Sequence, residues 1–84
     1  MADVNEIKPY FKIDFLSLLK GIYFVSVATR LLRGNRKPDI EELRYRAGFA
    51  SGLSSFALAV GVNPEQFISK EDLELVRMRA EGQL

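Results

Sequence analysis

Residues 47–62 of this 84-residue chain read AGFASGLSSFALAVGV, a run without a single charge. Charged residues make up 27% of the whole, so the run contrasts with what surrounds it. A small protein has little interior. A long uncharged helix needs a cover, and a chain this short has little to spare. The expected cover is a second copy of the chain or another protein.

The remaining composition narrows the class. Hydrophobic residues at 48% are ordinary for a folded domain and exclude disorder over most of the length. Cysteine and histidine are absent. No disulfide staples the fold and no thiolate binds metal, which suits a reducing, cytoplasmic setting. The opening Met1-Ala2-Asp3 lacks the basic-then-apolar order of a secretory signal. Stability has to come from packing alone, which favours oligomers in a chain of this size.

Punctuation divides the chain into one all-α domain, 1–84. Residues 1–13, with Pro9, Tyr10 and Phe11, read as an extended arm or short turn. The first helix is expected over 14–33, from an N-cap at Asp14 to a stop at Gly34-Asn35. It carries two apolar stripes. One holds Phe15, Leu18, Leu19, Ile22 and Val25, the other Leu16, Tyr23, Val27 and Leu31. Only Lys20 is charged between Asp14 and Arg30, and a helix apolar nearly all round is buried nearly all round. A strand over 21–29 is the rival, favoured by Val25, Val27 and Thr29 but not by the consecutive Ile22 to Val25. The second helix is expected over 38–61, with Pro38 in its first turn and Asp39 paired to Glu42 as a capping box. Asn63-Pro64-Glu65-Gln66 starts a short helix over 64–68. Ser69 with Asp72 caps a last helix over 70–81.

A short Gly34–Lys37 link makes the two long helices an antiparallel hairpin. Each buries one stripe on the other and keeps a second uncharged side. The last helix covers part of it. A two-fold dimer that pairs hairpins into a helical bundle is the simplest closed cover. On the second helix, Tyr45, Phe49, Leu53, Phe56 and Val60 form a bulky stripe. Gly48 and Gly52 are four apart and admit a neighbouring backbone. A mid-helix Gly costs about 1 kcal/mol against Ala, so a contact at this pair is expected to offset it. Tyr45, Gly48, Phe49, Gly52 and Phe56 are therefore the expected self-association surface.

Charge is uneven although its net value is +1. Arg30, Arg33, Arg36, Lys37, Arg44 and Arg46 face only Asp39, Glu41 and Glu42 nearby. Arg33, Arg36 and Lys37 at the loop are the expected contacts for a protein partner with an acidic surface. Phosphates are a second reading. The lack of an aromatic residue over 30–44 gives base stacking no platform.

Ala57, Gly61, Val62 and Phe67 are spaced in a way that resembles the turn of repressor-type helix-turn-helix proteins. That resemblance, over about fifteen residues, implies a small DNA-binding regulator in which Asn63, Glu65, Gln66, Ser69 and Lys70 face the duplex. Glu71, Asp72 and Glu74 put negative charge beside the phosphates. A tight turn between packed helices needs the same small and apolar residues. A membrane hairpin is a further alternative, opposed by an uncharged run that falls short of a span and by Lys20 inside the first helix. Ser51, Ser54 and Ser55 have no base at helical spacing, and the carboxylate pairs sit where helix N-termini favour them. No catalytic, cofactor or metal residue is singled out. The expectation is a non-enzymatic adaptor, inhibitor or structural subunit that works by protein–protein contact.

Overall fold

The computed structural model of the chain describes residues 4–32, 34 and 36–84, with side chains from Asp14 onward. Three α-helices, α1 (Val4–Leu31), α2 (Ile40–Ala59) and α3 (Lys70–Ala80), are joined by short links. One 3₁₀ turn, Pro64–Gln66, lies between α2 and α3. No strand occurs among the described residues, and 21–29 is helical.

The first helix is longer than expected. Residues 4–13, read above as an arm, belong to α1, so Asp14 is inside the helix and caps nothing. The spacing Ile7, Phe11, Phe15, Leu18, Ile22 runs through the supposed start, and this periodicity outweighs the breaker signal of Pro9. At the other end Gly34, with φ +74°, bonds its amide to the Leu31 carbonyl, while Arg33 and Asn35 lie outside the described residues.

The later elements start where side chains hold their first amides. Asp39 accepts from the Glu42 amide at 2.8 Å. Asn63 and Gln66 form a reciprocal capping box around the 3₁₀ turn. Ser69 accepts from the Asp72 amide at 3.2 Å. Gly61 turns the chain out of α2 at φ +79°, a conformation that only glycine adopts without strain.

The interior is built from small residues on α2 and larger ones around them. Leu19 of α1 packs with Ala57 and Val62, and Tyr23 packs with Ala50 and Ile68. Leu53 and Phe67 touch both groups. Phe15 sets its ring edge-on to Phe56 at 5.8 Å. The most extensive helix packing is that of α3 on α2, with Leu73 and Val76 against the Ala50 group. Ala47 and Ala50 are fully buried.

The molecule measures 52 × 30 × 15 Å. A helix with its side chains is about 10–12 Å across, so the third dimension holds little more than one layer. The radius of gyration is 15.2 Å, against about 12 Å for a closed domain of this length. The 28 residues of α1 account for the excess, since such a helix is about 42 Å long.

Candidate functional site

A groove of about 950 Å³ runs between α1 and α2. One wall is Leu18, Ile22 and Val25 of α1; the other is Tyr45 and Phe49 of α2. The two stripes expected on α1 do not divide buried from open: Leu19 and Phe15, read into the stripe of Leu18, Ile22 and Val25, pack in the core, and Leu31 of the other stripe is exposed. Leu16, Leu19, Tyr23 and Val27 turn inward to the core. Leu18, Ile22 and Val25 remain 54%, 41% and 64% exposed. Tyr45 is 70% exposed and stacks on Phe49 with centroids 6.4 Å apart. Contiguous exposed apolar surface of this kind is characteristic of contact and ligand-binding sites.

The groove ends on a charged cluster that ties the three helices together. Asp72, at N3 of α3, is fully buried. Its Oδ2 accepts from Arg30 at 2.8 Å and from the Tyr23 hydroxyl at 2.7 Å; its Oδ1 accepts from Arg46 at 2.7 Å. The phenol has one proton, and the charged acceptor at the shorter distance takes it. Ser69, 3.0 Å from the same phenol oxygen, then donates its hydroxyl proton to it, and the Ser69 amide donates there too at 3.2 Å. The Arg30 guanidinium lies 6.0 Å from the Tyr23 ring centre. Burial pushes the Asp72 carboxyl up; hydrogen bonds from Arg30, Tyr23 and Arg46 outweigh it and hold the group below its ordinary range.

This cluster is positive on balance. Arg30, Arg36 and Arg46, with Glu42, surround a second cavity of about 180 Å³ at the α1–α2 link. Among the described residues there, three guanidinium groups stand against the carboxylates of Asp72 and Glu42. Chemically the site can hold an apolar helix face along its walls and a carboxylate at its basic end.

The residues expected to self-associate lie on one side of α2. Tyr45, Gly52 and Phe56 are exposed, Phe49 is half-buried, and a Cβ at Gly52 would meet nothing within 4 Å. Gly48 is different, because a Cβ there would lie 3.7 Å from the guanidinium of Arg79. The approach it permits is used by this chain's own α3. Of the residues expected to contact a partner, Arg36 and Lys37 are exposed in the link and Arg33 lies outside the described residues. Of the set assigned to DNA, Asn63 and Gln66 hold each other's backbone, Ser69 caps α3, and Lys70 opens that helix. The sequence reading missed Tyr23, Arg30, Arg46 and Asp72 as a unit. In the sequence, Ser69-x-x-Asp72 reads as a cap pair; Ser69 does accept from the Asp72 amide, but the Asp72 carboxylate is taken by Tyr23, Arg30 and Arg46, distant in sequence.

No helix among the described residues is long and apolar enough to cross a membrane. Comparison with protein families, curated proteins and solved structures finds no match to this chain.

Proposed function

We propose that this protein is a non-enzymatic interaction module that associates with itself. In this reading α1 and α2 act as an antiparallel hairpin, and two hairpins close into a dimeric helical bundle. The observation that carries it is the open groove walled by Leu18, Ile22, Val25, Tyr45 and Phe49. At about 25 cal/mol per Å², covering a few hundred Å² of such surface offers several kcal/mol before association costs. The basic link, with Arg33, Arg36 and Lys37, then serves a partner with an acidic surface, which makes the assembly an adaptor, inhibitor or structural subunit.

Sedimentation equilibrium at micromolar concentration tests this. The expected result is a dimer that Ile22→Asp converts to a folded monomer. A solitary species at every concentration would overturn the reading. Salt-sensitive binding to duplex DNA, abolished by Lys70→Glu, would replace it with the helix-turn-helix regulator.

A further inference from the structure

On α1, Asp14, Leu18, Gly21, Ile22, Val25 and Thr29 fall within about 100° of arc, at 100° per residue. They form one stripe along the groove side of the helix, and Leu18, Gly21, Ile22, Val25 and Thr29 line the groove itself. The stripe has a carboxylate at one end and the surplus positive charge of the Arg30–Arg46 cluster at the other. Its middle is a glycine whose missing side chain leaves open space: a Cβ at Gly21 would meet nothing within 4 Å. A stripe with opposite charges at its ends and a gap beside a bulky residue at its centre is complementary to itself when reversed.

We propose that the groove is filled by α1 of a second copy, antiparallel, with the two-fold axis passing between Gly21 and Ile22. This rests on the self-association reading above and gives it a geometry. In this register Leu18 meets Val25 of the other copy, and each Ile22 seats over the other copy's Gly21. Asp14 arrives level with Thr29, one residue from Arg30. It supplies the carboxylate that the three arginines lack, once at each end of the dimer. Tyr45 and Phe49 flank the incoming helix. The two-fold operation makes the contact closed and isologous, so growth stops at two copies.

The chain has no cysteine, which permits a clean cross-linking test. Leu18→Cys and Val25→Cys change exposed positions and leave the core intact. Mixed under mild oxidation, the two single variants should give a disulfide-linked heterodimer, and each alone should give none. Two copies of residue 18 sit about 10 Å apart along the axis, beyond the roughly 7 Å Cα separation that a disulfide spans. Asp14→Lys should raise the dimer dissociation constant about tenfold, more at low salt. Gly21→Leu should fold and raise it at least as much, by filling the seat of Ile22. A sedimenting dimer whose mixed variants do not cross-link, or whose single variants cross-link alone, would overturn this interface while leaving self-association standing. A monomer throughout would overturn both.

Discussion

Asp72 is the residue on which the three helices depend together. It is a fully buried charge with three side-chain donors, one from α2 and two from α1. Removing one partner of such a group leaves others buried and unpaired. Asp72→Ala should cost about 3–5 kcal/mol in a urea titration. Tyr23→Phe should cost about 1–3 kcal/mol, because the Ser69 amide and Asp72 both lose a partner. The folded-state pKa of Asp72 lies below its ordinary 3.8. The unfolded chain therefore takes the proton first as pH falls. The group's contribution is complete above about pH 4 and is lost as pH drops through the folded value. The difference in urea midpoint between the native chain and Asp72→Asn should shrink across that window. A constant difference from pH 6 to pH 2 would mean the cluster is not formed. Ser54 offers the opposite case. Its hydroxyl is buried without a hydrogen-bond partner among the described residues. Ser54→Ala should raise stability by about 1 kcal/mol, measured by the same titration.

At the scale of elements, the N-caps of α2, the 3₁₀ turn and α3 were readable from spacing alone. Asp39, Asn63 and Ser69 each bond to an amide two or three residues ahead, an interaction that needs no tertiary contact. The start of α1 was not readable in this way. Pro9 signals a break locally, whereas helicity over 4–13 follows the longer apolar period. The glycines of α2 separate by neighbourhood, a distinction that composition does not carry. Gly52 is exposed with open space around it, so in the absence of a partner Gly52→Ala should stabilise α2 by up to about 1 kcal/mol. Thermal unfolding at low concentration checks this. If Gly52→Leu instead weakens a dimer, the contact surface lies on α2 rather than on α1.

The whole molecule is a layer of helices with a groove on it, and its thinness leaves apolar side chains without inner neighbours. Leu18, Ile22 and Val25 are as apolar as Leu19 and Tyr23, yet only the latter two enter the core. The apolar periodicity was legible in the sequence, but not the line between buried and open sides, because Leu19 was read with Leu18, Ile22 and Val25 and Leu31 with Tyr23. That line depends on where α2 and α3 lie. If the open stripe is covered by a second copy, stability is linked to concentration. The melting temperature should rise with protein concentration from about 1 to 100 µM, and Ile22→Asp should abolish the dependence. A melting temperature independent of concentration in the native chain would place the cover elsewhere.

The amino-acid sequence by itself determined helical class, the caps at Asp39, Asn63 and Ser69, the turn glycines and an excess of apolar helix surface, because each follows from neighbours a few residues apart. The tertiary structure decided which side of α1 is buried, that Arg79 lies against Gly48, and that Asp72 gathers Tyr23, Arg30 and Arg46. Those partners are 26 to 49 residues away along the chain, and no local periodicity reports a meeting over such separations.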